Sequence, residues 1–277
     1  MKQLDIIEST NAIEFKNVSL AFDDHIVLND ISFAVGPGEM KVVLGQSGSG
    51  KSTILKLILG LIRPDAGEIL INGEEISRLN EPALNKIRRC MGIVFQEGAL
   101  FSSLDTYENV AYRPREMKWC EEDIDREVRR VLTFVGLGEE LEVMPDALSG
   151  GMKRRVAIAR AIVDRPRIVL YDEATAGLDP PTRSVCELAI RLRDVENVSS
   201  VFVTHKVEDI RFLSSKLIGI DQPGGTLLHG EDNKLCLINT KFLVLRDARI
   251  VFDGTDEQLW DSNDPFIGRF LIGEEAA

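Results

Sequence analysis

The chain has 277 residues, 44% of them hydrophobic, and sets 33 Lys+Arg against 45 Asp+Glu for a formal net charge of −12. That is enough apolar material for one large or two smaller cores, and the acidic excess argues against a protein that grips nucleic acid by broad phosphate neutralisation. Cys90, Cys120, Cys186 and Cys236 stand far apart with no CxxC pair, which points away from a disulfide framework or a zinc site and toward a reducing compartment. The opening MKQLDIIEST lacks the apolar core of a signal segment, and no run approaches the ~18 apolar residues of a membrane span, so any membrane role is expected to work through a partner.

From Ala12 to Ser32 the apolar residues Ile13, Phe15, Val18 and Leu20, a polar turn at Asp23-Asp24-His25, and then Ile26, Val27 and Leu28 predict antiparallel strands. Gly36-Pro37-Gly38-Glu39 is a turn into the buried strand Val42-Val43-Leu44. After a glycine-rich loop, Ile54, Leu55, Leu57, Ile58 and Leu61 recur at helical spacing, with Gly60 interrupting late. Arg63 to Gly67 is a turn, and Glu68 to Ile71 a short strand ending at Asn72-Gly73. Between about 102 and 164 the pattern turns helical, with Ile124, Val128, Val131, Leu132 and Val135 on one face, and predicts an inserted helical subdomain. Strands return at Ile168–Tyr171, Ser200–Val203 and Leu217–Ile220, and strands alternating with helices predict a parallel α/β sheet. The stretch 222–239, with Pro223-Gly224-Gly225, reads as a loop or an extra hairpin.

The chemistry concentrates at strand ends. Gly45-Gln46-Ser47-Gly48-Ser49-Gly50-Lys51-Ser52-Thr53 places glycines, a lysine and hydroxyls between a strand and a helix. Bare backbone N–H groups can there curl around phosphate oxygens, the positive helix end and Lys51 add charge, and the Ser52 hydroxyl can ligate Mg²⁺. Phosphoryl transfer also needs a metal clamp and a positioned water. Asp172 and Glu173 end the strand Ile168–Tyr171: Asp172 can hold Mg²⁺ through water, and Glu173 can polarise the attacking water. Gln96 ends Ile93-Val94-Phe95 and could reach metal or water, and His205 follows Val201-Phe202-Val203 and could touch the γ-phosphate; either alone would be an ordinary surface or structural residue. Leu148-Ser149-Gly150-Gly151-Met152 opens a helix whose face carries Val156, Ile158, Ala159 and Ile162, a second anion site or, standing alone, a plain Ser N-cap. Lys153-Arg154-Arg155 leaves room for a local basic patch.

Taken together, these motifs resemble the ATP-binding-cassette (ABC) nucleotide-binding domains over nearly the whole chain. GQSGSGKST resembles Walker A, Gln96 the Q-loop glutamine, residues 148–152 the signature, residues 168–173 Walker B, Ala176-Gly177-Leu178-Asp179 the D-loop and His205 the switch histidine. The resemblance implies an α/β P-loop NTPase core of ABC-ATPase type, with an N-terminal antiparallel β-subdomain and an inserted α-helical subdomain. It implies one domain over 1–277: core at about 12–95 and 165–253, helical and signature part at about 96–164, tail at 254–277. It further implies ATP and Mg²⁺ as cofactors, with Ser52, Gln96 and Asp172 on the metal and Glu173, His205 and Gln96 in catalysis. A second copy, docked head to tail, would place Ser149, Gly150 and Gly151 on the γ-phosphate and Asp179 at the seam; Phe22 matches the adenine-stacking aromatic or is a turn-packing residue.

The segment from Phe95 to Leu104, Met152, and the tail Asp264-Pro265-Phe266 with Phe270-Leu271 look like the ATPases of Mla/Mce-type lipid transporters. Ala174 departs from the proline usual after the Walker B glutamate, and 222–239 is longer than expected. That branch implies an integral permease, an Mce-type lipid-binding protein as a further partner, no nucleic acid, and a peripheral place on the cytoplasmic face of the inner membrane. An importer ATPase for amino acids or other small solutes, a lipoprotein-release ATPase, or a soluble cassette ATPase are the alternatives.

Overall fold

A computed structural model of the chain describes residues 11–177, 182–214, 217–219, 226–228 and 239–272. They fall into two compact units, one built from residues up to Arg88 with Ser199–Val207 and Asn239 onward, the other from Arg89–Val198 and Glu208–Ile238.

The first unit holds two sheets. In the antiparallel one, β1 (Ile13–Phe22) pairs with β2 (His25–Val35) and with β4 (Ala66–Ile71), and β5 (Glu74–Glu75) follows β4 through Asn72-Gly73. Ile13 and Phe15 are buried, as are Val18 and Leu20, although the two pairs are one residue out of strict alternation. The register shifts between Phe15 and Val18, where Asn17 takes a φ of 51°, and this irregularity returns the side chains to the same face. Asn17 is held there by its side chain, which donates to Asp30 at 2.9 Å.

The second sheet runs β12-β11-β3-β8 within this unit. Its centre is β3 (Met40–Gly45), buried at every residue, with β11 (Thr240–Arg246) and β8 (Ser199–Val203) parallel on either side and β12 (Arg249–Gly254) antiparallel beyond β11. Burial on both faces accounts for the unbroken apolar run at 42–44. Lys41 lies inside this strand; its ammonium pairs with Asp253 at 2.7 Å and Glu39 at 3.4 Å, and Lys241 bonds Glu39 from β11 at 2.8 Å. Helix α1 (Lys51–Ile58) follows β3 and buries Ile54, Leu55, Leu57 and Ile58. The helix stops a turn earlier than its apolar pattern predicts: Gly60 turns at φ 61°, and Leu61 is exposed. Helix α2 (Glu81–Arg88), the capping-box helix α8 (Asp256–Trp260) and α9 (Pro265–Ile272), which buries Phe266, Ile267 and Leu271, complete the unit.

The second unit pairs β6 (Met91–Val94) in parallel with β7 (Ile168–Asp172) and adds α3 (Thr106–Glu116), α4 (Glu121–Phe134), α5 (Gly150–Ile162), α6 (Thr182–Glu196) and most of α7 (Val207–Ser214). The predicted face of α4 and the predicted face of α5 are both buried. Helix α5 lies directly on β6 because Gly92 has no side chain: a Cβ there would stand 2.2 Å from the Ala161 carbonyl oxygen. One strand differs from expectation. β9 (Leu217–Gly219) forms an antiparallel hairpin with β10 (Thr226–Leu228) instead of joining a parallel sheet. A partner beginning seven residues beyond Gly219 costs less closure entropy than a crossover; of the stretch 222–239 all but Thr226–Leu228 and Asn239 lies outside the described residues.

Candidate functional site

In the first unit the loop Gly45–Thr53 leaves the carboxyl end of β3 and enters α1 at Lys51. No side chain caps the start of α1, so its first N–H groups face the loop. Gly50 holds φ 99° at the N-cap, and a Cβ there would meet the Val27 carbonyl oxygen at 3.0 Å and Leu28 Cδ2 at 3.1 Å, which restricts this corner to glycine. Lys51 is almost fully buried; its Nζ donates to the Gly45 and Gln46 carbonyl oxygens at 2.9 and 2.8 Å and closes the loop upon itself. The Ser49 hydroxyl is buried with no hydrogen-bond partner among the described residues. An uncapped helix start, a cation and an orphaned hydroxyl around one loop form a donor set that suits phosphate oxygens. A cavity of about 570 Å³ opens beside Gln46, Ser47, Gly48 and Ser49.

The same edge carries His205. Val43 of β3 is in register with Val203, the last residue of β8, so Gly45 at the end of β3 and His205 in the turn after β8 each stand two residues past that pair at the same edge of the sheet. The Thr204 amide donates to the Val43 carbonyl oxygen at 3.2 Å and the Lys206 amide to Thr204 Oγ1 at 3.1 Å, which fixes the turn that presents the exposed histidine. Phe22 closes β1 opposite His25 and is 50% exposed, so it does not belong to the core.

The second unit groups the remaining candidates at one edge in the same way. Val94 of β6 is in register with Tyr171 of β7, and Gln96 and Glu173 each lie two residues beyond; Gln96 is exposed, while Asp172 and Glu173 are half-buried. Glu173 has a φ of 46°, a conformation uncommon for a residue with a side chain, in a turn closed by the Ala176 amide donating to the Glu173 carbonyl oxygen at 2.9 Å. Ala174, where proline was the familiar residue, is completely buried.

That turn is held by a residue whose role the sequence pattern did not reveal. Arg154, buried on α5, donates from Nε to the Ala174 carbonyl oxygen at 3.2 Å and from a terminal nitrogen to the Ala176 carbonyl oxygen at 2.9 Å. Burial pushes its guanidinium pKa down, opposed by the charge of Glu97. Arg155 donates to the Val135 and Gly136 carbonyl oxygens, both at 3.1 Å. Lys153-Arg154-Arg155 is therefore no basic patch: two of its three cations satisfy carbonyls within the unit. Thr175, in the same turn, bonds the buried carboxylate of Asp209 on α7.

At the start of α5, Ser149 is an N-cap whose Oγ accepts the Met152 amide at 3.2 Å, and both Ser149 and Gly150 are exposed. Asp179 lies outside the described residues. Downstream of Gln96, Phe101 is 42% exposed, packs on Tyr112 with ring centroids 4.7 Å apart, and has Arg160 5.7 Å from its own centroid. Arg160 donates to the Gly98 and Ala99 carbonyl oxygens, both at 2.8 Å, and the buried Asn109 side chain bonds Phe101 at both its amide and its carbonyl. The exposed apolar loop is thus rigidly framed.

A glycine loop between a buried parallel strand and an uncapped helix start, closed by a lysine, defines a P-loop nucleotide-binding protein. The ABC transporter family model matches residues 28–176. The intermembrane phospholipid transport system ATP-binding protein MlaF of Haemophilus influenzae is 35% identical over 266 residues, 95% of this chain and 91% of that protein. The spermidine/putrescine import ATP-binding protein PotA of Protochlamydia amoebophila is 42% identical over 206 residues, 74% of this chain and 54% of that protein, so the chain spans about half the length of that relative. Among solved structures, the dimeric ATP-binding cassette MJ0796 in a post-hydrolysis state bound to ADP and Pi superposes with a TM-score of 0.70 at 29% identity, over 88% of this chain and 98% of that one. The chain belongs to the ABC transporter family, as an ATP-binding and ATP-hydrolysing subunit.

Proposed function

We propose that this subunit drives phospholipid transport through a separate membrane permease. The observation that carries the reading is the mutual reach of the MlaF match, 95% of this chain and 91% of that protein, whereas the match to the polyamine importer subunit spans 74% and 54%. The framed apolar loop at Gly98–Phe101 supports a docking point for an apolar helix of the permease. Among the described residues no helix is long and apolar enough to cross a membrane. In the proposed system the lipid path belongs to the permease, and this subunit works from the cytoplasmic face of the inner membrane, as the resemblance to the lipid-transport branch implies. An Mce-type lipid-binding protein is the further partner of such a system.

In the proposed cycle the loop from Gly45 to Thr53 bonds the ATP phosphates through its backbone, with Lys51 matching their charge. Ser52, Gln96 and Asp172 offer the oxygen-only donor set that suits Mg²⁺. The ion, when bound, supplies positive charge against the phosphate oxygens. Glu173 orients and deprotonates the attacking water, His205 steadies the γ-phosphate, and Phe22 stacks on the base. A second copy, head to tail, brings Ser149, Gly150, Gly151 and Asp179; the exposure of Ser149 and Gly150 supports a role completed from outside the chain.

Two measurements test this. Glu173→Gln is expected to keep ATP affinity and lose about 10²–10⁴-fold in phosphate release, the usual contribution of a general base; a wild-type rate refutes the assignment. Copurification from native membranes with mass spectrometry is expected to yield a permease with bound phospholipid, and recovery of a small-solute permease without lipid overturns the cargo.

A further inference from the structure

The second unit contains another cavity, of about 160 Å³, that nucleotide chemistry does not use. It sits where Pro166 and Arg167 enter β7, so some four residues, or about 13 Å, of strand separate its edge from Asp172. Its floor is apolar: Phe134 from the end of α4, Ile162 from the end of α5, Leu192 from α6, and Val198. The volume matches a space that accepts one benzene-sized group, and it is too short for an acyl chain.

The rim is cationic. Arg130 and Arg165 both close on the nearly buried carboxylate of Glu127, at 2.8 and 2.9 Å. Desolvation works to raise the Glu127 pKa, but the two arginine hydrogen bonds outweigh it and hold the carboxylate ionised. Arg191 caps the Phe134 ring at 4.5 Å from its centroid. Arg167, exposed at the cavity wall, has no ion pair among the described residues. Four guanidinium groups therefore stand against the carboxylates of Glu127 and Glu196, a local positive excess in a chain whose net charge is −12. Guanidinium forks match carboxylates in geometry, and an apolar hollow ringed by arginine is the form of an interface anchor pocket.

We propose that this cavity is the docking point for an acidic segment of a partner protein, which seats one Phe- or Leu-sized side chain on the apolar floor and pairs its flanking carboxylates with Arg167 and Arg165. The single ring-sized hollow selects one anchor, and the guanidinium rim selects acidic flanks. The position at the entry to β7 leaves the site free while the opposite end of that strand carries Asp172.

The test uses the full-length protein and a fluorescein-labelled pentapeptide, Glu-Asp-Phe-Asp-Glu, followed by anisotropy. An isolated pentapeptide is expected to bind with a Kd on the order of 0.1–1 mM, weakening as salt rises. Replacing its Phe by Ala, or using Arg167→Glu protein, is expected to weaken binding about tenfold or more, with Arg167→Lys intermediate and ATP affinity equal in all proteins as a check on folding. Absence of binding at millimolar peptide, equal affinity for the Ala peptide, or wild-type affinity in Arg167→Glu overturns the proposal. So does Arg167-dependent binding of phosphatidylglycerol vesicles with none of the peptide, which would assign the rim to a membrane surface.

Discussion

Arg154→Met removes the two hydrogen bonds that hold the turn after Glu173 and keeps most of the side-chain volume. A charged donor to a buried carbonyl contributes about 1.5–3 kcal/mol per bond; the 2.9 Å bond to Ala176 belongs at the upper end and the 3.2 Å bond to Ala174 at the lower. Returning the buried guanidinium to water offsets about 1–2 kcal/mol of that sum. The expected net loss is about 2–4 kcal/mol, read as a lower urea midpoint at unchanged slope. The turn also positions the carboxylate beside it, and a displacement of about 1 Å at a reacting group can cost about 100-fold in rate. ATP-dependent phosphate release should therefore fall by about 10–100-fold under conditions where the variant is folded. Fluorescent-ATP affinity should stay within about twofold, since the phosphate loop lies in the other unit. A variant that loses stability but hydrolyses ATP at the wild-type rate would show Arg154 to be a packing residue only, and one as stable as wild type would refute the accounting of the bonds itself.

Other substitutions probe separate parts. Lys51→Ala should abolish measurable equilibrium binding of fluorescent ATP at micromolar concentrations, and unchanged binding would remove the loop from the nucleotide site. Phe22→Ala should weaken ATP, GTP and CTP alike by about two- to thirteenfold, as loss of roughly 0.5–1.5 kcal/mol of stacking without base-edge readout requires; discrimination among the three would contradict stacking. Gly92→Ala forces a methyl to within 2.2 Å of the Ala161 carbonyl oxygen and should destabilise by about 1–3 kcal/mol as α5 is pushed off β6. A thermal-melt shift below 1 °C would mean that the helix is free to slide.

The nucleotide loop was legible in the chain because its chemistry is local: nine consecutive residues contain the glycines, the lysine and the hydroxyls, and a strand and a helix on either side announce themselves by apolar runs. The buried faces of α4 and α5 were legible for the same reason, as periodicity along one element. What stayed hidden depends on residues far away. Leu61 continues the apolar spacing of α1, yet Gly60 turns the chain before it because Leu84 packs where a Cβ would go. Arg154 looks like part of a basic triplet until Ala174 and Ala176, twenty or more residues on, present their carbonyls to it. The Leu217–Gly219 strand carries the apolar composition of a sheet centre, and only its pairing with Thr226–Leu228 shows it to be a hairpin. Phe22 could have been core or surface; a hairpin end leaves it half in solvent.

The ion pair between Lys41 and Asp253 joins positions 212 residues apart. At about 5–20 residues per second of synthesis, on the order of 10–40 s separate the emergence of the two ends. During that interval β3 lacks its β11 neighbour, and its buried ammonium has Glu39 but not the shorter contact to Asp253, so burial of the charge is only partly offset. The strand that launches the phosphate loop is thus completed by the last quarter of the chain. A product that ends before Thr240 contains the loop's sequence without the parallel neighbour that borders its strand.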